Sequence, residues 1–131
     1  MMSENIKQLL PFLKRIANQL YGYYGGPVYL VGSALTDENP RDIDIKVVVS
    51  RKDFERLFGN YDHFAVEYST GEFGDVAWKW VDDRLKRCRI LSEEIGQNID
   101  FGCYSEEMWR TDFPYLRIDT RQEYDDKKNL K

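Results

Sequence analysis

Asp42 and Asp44 stand one residue apart at the start of an apolar run, Ile43 to Val49. An earlier apolar run, Val28 to Val31, ends in Gly32-Ser33, and a short polar loop joins the two. Side chains of a strand alternate between faces, so Asp42 and Asp44 are expected to point the same way, roughly 7 Å apart along the strand. Unpaired carboxylates side by side on a half-buried surface repel each other at a cost. A hard divalent cation such as Mg²⁺ removes that cost, because it takes carboxylate oxygens and substrate phosphates as ligands. Gly-Ser at the turn of a strand offers backbone N–H groups to a phosphate. Lys46 shares the face of Asp42 and Asp44 by parity and is placed either to contact a phosphate or to relieve their repulsion. A phosphate holder next to a metal holder implies nucleotide chemistry. Each half has a plainer reading too, Asp-x-Asp as a solvated edge and Gly-Ser as a turn.

These residues need two strands joined by a loop, and the rest of the chain supplies a frame for them. With 131 residues the chain is long enough for one domain with a single core. No run of about 18 apolar residues is present to span a membrane. The first residues, Met1 to Ile6, lack the basic-then-apolar layout of a signal peptide. Cys88 and Cys103 are too few for a disulfide framework and fit reduced thiols in the cytoplasm. A net charge of −4 argues against broad non-specific nucleic-acid binding, while leaving room for a local basic patch.

Ser3 is a candidate N-cap for a helix carrying Ile6, Leu9, Leu10, Leu13, Ile16, Leu20 and Tyr21. Pro11 predicts a kink in it or a start near Leu10, and Gly22, Gly25 and Gly26 end it. Strands are expected over 27–31 and 43–49. The continuous Val47-Val48-Val49 points to cover on both faces of the second. Ser50 to Asp53 resembles a capping box, opening a helix that closes at Gly59. Alternation of Phe64, Val66 and Tyr68, then of Val76, Trp78 and Trp80, across the turn 69–74, predicts a hairpin of strands 63–68 and 75–81. Asp82 or Asp83 then caps a helix ending at Gly96. A strand follows over 98–104, with Ile99, Phe101 and Cys103 on one face and Asp100 on the other. A helical turn is expected over 106–110, the segment 114–119 is ambiguous, and a polar tail from about Arg121 is expected to fray. The expected class is α+β, a mixed sheet of four or five strands with helices mainly on one face.

Gly32-Ser33, the eight intervening residues, Asp42-x-Asp44 and the later strand carboxylate Asp100 together resemble the polymerase-β-like nucleotidyltransferase superfamily, closest to its minimal, antitoxin-type members. The likeness is carried by residues 28–49 and, more loosely, by 98–104. It implies that Gly32 and Ser33 hold the triphosphate of an NTP, with ATP the expected one. It also implies that Asp42, Asp44 and Asp100 ligate two Mg²⁺ ions and that Asp100 helps activate the attacking hydroxyl in an in-line displacement. The acceptor hydroxyl would belong to a protein, a nucleic acid or a small molecule. Small members often act as antitoxins beside a helical HEPN-type toxin, so a protein partner is implied. Such members often carry an Arg soon after Gly-Ser, where this chain has Ala34-Leu35-Thr36, leaving Arg41 as the nearby cation. That departure supports the alternative, a catalytically weakened module of the same fold that binds a partner without turnover. A third reading is a regulatory domain that senses a nucleotide.

Outside this motif the residue types admit plain roles. His63 suits the surface or the core. Trp78 and Trp80, on one face of the expected strand, suit a core or lid, or stacking on a base. Arg84, Lys86, Arg87 and Arg89 suit a solvated helix face, or contact with triphosphate or nucleic acid.

Overall fold

The structure, a computed structural model, describes residues 2–38, 40–109 and 112–121. Helix α1 (Glu4–Tyr24) leads into β1 (Val28–Val31), the one-turn α2 (Ser33–Thr36) and β2 (Ile43–Val49). Helices α3 (Arg51–Phe58), α4 (Tyr61–Thr70) and α5 (Asp75–Ile95) follow, then β3 (Ile99–Ser105) and β4 (Tyr115–Arg117). The strands form one mixed sheet in the order β3-β2-β1-β4. β1 pairs antiparallel with β2 and β4, and β2 pairs parallel with β3. The α+β class and the mixed four-stranded sheet are therefore as the sequence implies.

The capping residues act where their types suggest. Ser3 Oγ accepts from Ile6 N–H, and Gly25 ends α1 in the left-handed region at φ 88°. Ser50 Oγ accepts from Asp53 N–H to open α3, and Gly59 and Gly96 close α3 and α5. Pro11 lies inside α1 and neither starts nor ends it. An interior proline costs about 3 kcal/mol. Here the buried stripe Ile6, Leu13, Ile16, Ala17, Leu20 and Tyr24 runs past it on both sides, and that burial outweighs the cost.

The expected hairpin is not a hairpin. Residues 63–68 lie in α4 and 75–81 in α5. Asn60 Oδ1 caps α4 through His63 N–H. The start of α5 is capped from the neighbouring helix, where Glu67 Oε1 accepts from Gly74 N–H and Ala77 N–H, so neither Asp82 nor Asp83 begins it. Residues two apart on a helix face nearly opposite ways. Accordingly Phe64 and Trp80 are buried, while Val66, Tyr68 and Trp78 are each more than half exposed. The alternation came from exposed apolar side chains. The stripe of α5 that meets the protein has helical spacing: Ala77, Trp80, Arg84, Cys88, Leu91 and Ile95. It is interrupted by one arginine.

The sheet has two unlike faces. Val28, Leu30, Ile43, Ile45, Val47, Val49, Ile99, Phe101 and Cys103 alternate onto one face and are at most 5% exposed in a single hydrophobic cluster with the helices. The residues between them, Tyr29, Asp44, Lys46, Asp100 and Tyr104, lie on the other face and are half-buried. Ambiguous in sequence, 114–119 contributes the edge strand β4. Residues 106–108 form a turn, Arg110 falls outside the described residues, and so does the tail beyond Arg121.

Candidate active site

Register brings the predicted residues together. Val31 stands opposite Asp44 across the β1–β2 pair, and Asp44 stands opposite Asp100 across β2–β3. Directly opposed residues share a face and lie within about 5 Å at their Cα atoms. The antiparallel hairpin-like return places the end of β1 beside the start of β2. The parallel crossover through α3, α4 and α5 places the start of β3 there too. Gly32 follows Val31 with φ 73°, and a Cβ there would stand 3.3 Å from Asp44 Oδ2. The left-handed backbone and this close approach both favour glycine. α2 begins at Ser33, with no side-chain cap at its N-terminus.

The Gly-Ser turn differs from the expectation in one respect. The N–H of Gly32 donates to Pro114 carbonyl oxygen at 3.1 Å. The free N–H groups expected from Gly-Ser therefore do not include that of Gly32. Its amide ties the turn to the segment entering β4, and Leu35 N–H donates to Gly32 carbonyl oxygen at 3.0 Å.

The two strand carboxylates are held unlike each other. Asp100 is embraced by cations. Arg84 Nη2 donates to Asp100 Oδ1 at 2.9 Å, and Lys46 Nζ lies 3.5 Å from Asp100 Oδ2. Burial pushes the Asp100 carboxyl up, but the Arg84 hydrogen bond and the Lys46 and Arg84 charges outweigh it and hold the carboxyl below its ordinary range. Asp44 moves the other way. Burial raises it most, Lys46 pulls it back, and Asp100 and Asp42 add to the rise. Asp42 itself precedes β2, in an exposed bend. It is not the outer-face strand residue that the parity argument expects, yet it remains near enough to push on Asp44. Among the described residues no group of three or more His, Cys, Asp or Glu side chains is placed to hold a metal ion.

Arg84 and Tyr104, which the motif did not single out, help form the site, and Trp109 lies beside it. Arg84 lies on the inward stripe of α5, and besides Asp100 it donates to Phe101 carbonyl oxygen at 3.2 Å. A charged residue on an otherwise apolar helical stripe was the available signal. Tyr104 shares the face of Asp100, and its ring folds back over Gly102, where a Cβ would stand 2.7 Å from the phenol oxygen. Lys46 Nζ lies 5.4 Å from that ring's centre. Trp109 stacks on Tyr29, the residue opposite Lys46, with ring centres 4.9 Å apart. His63 and Trp78 belong to α4 and α5, outside this cluster, while Trp80 borders it, meeting the Tyr104 ring edge to face at 5.9 Å and donating from Nε1 to Cys103 carbonyl oxygen on β3. Of the other basic residues, Arg87 donates to Tyr24 Oη.

No helix is long and apolar enough to cross a membrane among the described residues. Comparison with family models, with characterised proteins and with solved structures finds no match for this chain.

Proposed function

We propose that this chain is a Mg²⁺-dependent nucleotidyltransferase of the polymerase-β-like kind, moving a nucleoside monophosphate from an NTP such as ATP to a hydroxyl. The observation that carries the reading is the pairing of Asp44 with Asp100 on the sheet face opposite the hydrophobic cluster, beside the Gly32 turn. Two adjacent, partly desolvated carboxylates with opposite pKa shifts form a donor set that a hard cation suits. Asp44 and Asp100 would hold Mg²⁺, with Asp42 joining from the preceding bend. When bound, the metal lowers the pKa of the attacking hydroxyl and stabilises the departing pyrophosphate. The chain's own residues do the positioning. Arg84 fixes the rotamer of Asp100, Lys46 offsets the charge of the carboxylate row, and the Ser33 hydroxyl donates to a phosphate oxygen. An acceptor on a partner protein, as in antitoxins beside helical HEPN-type toxins, would meet the same open face.

A second reading has its own observation. Arg84 and Lys46 already neutralise Asp100, as a binding module of this fold without turnover would require. Calorimetry and transfer assays separate the two. Asp44→Asn is expected to abolish Mg·ATP binding in a protein that stays folded, and Ser33→Ala to weaken binding or turnover roughly ten- to hundredfold, the worth of a hydrogen bond to a charged group. Equal Mg·ATP affinity in native and Asp44→Asn proteins would defeat metal ligation here. Binding without any transfer, with cognate acceptor supplied, would favour the module.

A further inference from the structure

The outer face of the sheet carries a pocket that the catalytic reading leaves unused. It encloses about 230 Å³ and is lined by Lys46, Tyr104, Met108, Trp109 and Phe113. Four of its five walls are aromatic or thioether, and the fifth is an amine. The aromatic walls are braced. Trp109 stacks on Tyr29 and meets Phe113 and Tyr115 edge to face, with ring centres 5.6 and 5.8 Å away. The volume falls below the roughly 300–1,000 Å³ of sites for drug-sized ligands and suits one ring system.

Lys46 ties this pocket to the carboxylates. One side chain lines the pocket, lies over the Tyr104 ring and pairs with Asp100. The Lys46 row of the sheet is one same-face step from the Asp44–Asp100 row, roughly 7 Å along the strand. An apolar pocket one same-face step from the Asp44–Asp100 row matches the build of a nucleotide, whose base and phosphates are separated by a ribose.

We propose that the pocket formed by Tyr104, Met108, Trp109 and Phe113 receives the base of the nucleotide, purines best, with Trp109 as the stacking platform and Lys46 between base and phosphates. This rests on the nucleotidyltransferase reading for the phosphate end only. Stacking on an aromatic side chain tolerates many bases and favours those with the largest π-face. ATP and GTP are thus preferred to CTP and UTP by this slot, without strict choice between the two purines.

The test compares Mg·ATP, Mg·tripolyphosphate and adenosine as calorimetric titrants against the native chain, Trp109→Ala and Trp109→Phe. Native protein is expected to bind ATP ten- to hundredfold more tightly than tripolyphosphate, the usual worth of one stacked base. Trp109→Ala should lose that advantage while keeping its tripolyphosphate affinity, which also reports that it is folded, and Trp109→Phe should retain most of it. The proposal is overturned if native protein binds ATP no better than tripolyphosphate. It is also overturned if Trp109→Ala weakens both ligands equally, or leaves the ATP advantage intact. Should neither phosphate ligand bind, the nucleotidyltransferase reading fails and adenosine decides the pocket alone. Binding that Trp109→Ala removes and Trp109→Phe keeps supports it, and no adenosine binding sinks it.

Discussion

The two ends of β1 carry acids in opposite conditions. At the Val28 end, the Asp119 side chain is wholly buried and fully engaged. Its Oδ2 accepts from Val28 N–H and from Arg117 Nε, and its Oδ1 from Arg117 Nη2 and Arg121 N–H. At the Val31 end, Asp44 and Asp100 are half-buried, adjacent, and pushed in opposite directions. One acid completes a closed lattice of donors and fixes where β1 starts. Of the other two, Asp100 is held by Arg84 and Lys46, and its charge presses on Asp44. Asp119 and Asp100 both have their oxygens answered by cations of the fold, whereas Asp44, beside Asp100, is the acid left with a raised carboxyl.

Asp119→Ala is the largest break in that comparison. It removes the acceptor of a buried amide and the partner of a partly buried guanidinium, so unfolding should become easier by about 2–4 kcal/mol, read from urea denaturation. An effect below about 1 kcal/mol would erase the distinction between the two ends. Arg84→Ala comes next. The Arg84–Asp100 pair is more than a third exposed on both sides, so its loss should cost no more than about 1 kcal/mol. It should let the Asp100 carboxyl rise towards the behaviour of Asp44, followed by NMR titration, and strengthen Mg²⁺ binding by removing a competitor. An unchanged Asp100 titration would show that Arg84 does not set it.

Asp44→Asn should have the smallest effect on stability, a few tenths of a kcal/mol, and in the stabilising direction at neutral pH. Its sign follows from the raised carboxyl. An acid whose folded pKa lies above its ordinary value of 3.8 stabilises the fold at low pH and loses that contribution as pH rises through the folded value. Native protein in chelator should therefore lose ground to Asp44→Asn as pH rises from the ordinary carboxylate range through the raised folded value, and if Mg²⁺ binds as proposed it should restore the lost stability. The opposite trend would mean that Asp44 is better served when ionised than its neighbours suggest.

Strands β1, β2 and β3 were legible because apolar runs bounded by Gly, Pro and Asp have few other solutions, and the Ser3, Ser50, Gly59 and Gly96 caps because their chemistry is local. The α4 and α5 segments misled because five-residue alternation is too short to tell period two from exposed apolar residues on a helix; Val66, Tyr68 and Trp78 supplied it. Of the site, the β2 and β3 acids, Gly32 and Lys46 were visible as strand parity and turn chemistry. Arg84 was visible only as part of a basic helix run and Trp109 not at all, since their partners Asp100 and Tyr29 are distant in sequence and only the crossover and the sheet bring them near. The bond from Gly32 N–H to Pro114 was illegible for the same reason.

The parallel pairing of β2 with β3 has a consequence for how the molecule forms. β1 and β2 are near neighbours in the chain and can meet early, but β3 can dock only after α3, α4 and α5 have closed a long loop, a slow and entropically costly contact. Docking of β3 therefore covers the core on one face and brings Asp100 against Asp44 on the other. An ion that needs both acids meets nothing to bind in a half-formed chain. Its whole affinity is then available to hold β3 in place, about 2.7 kcal/mol at a hundred times its Kd. If the proposed Mg²⁺ binds, it would act as a clasp on β3, and the chain would resist proteolysis across α3 to α5 more as the ion is supplied.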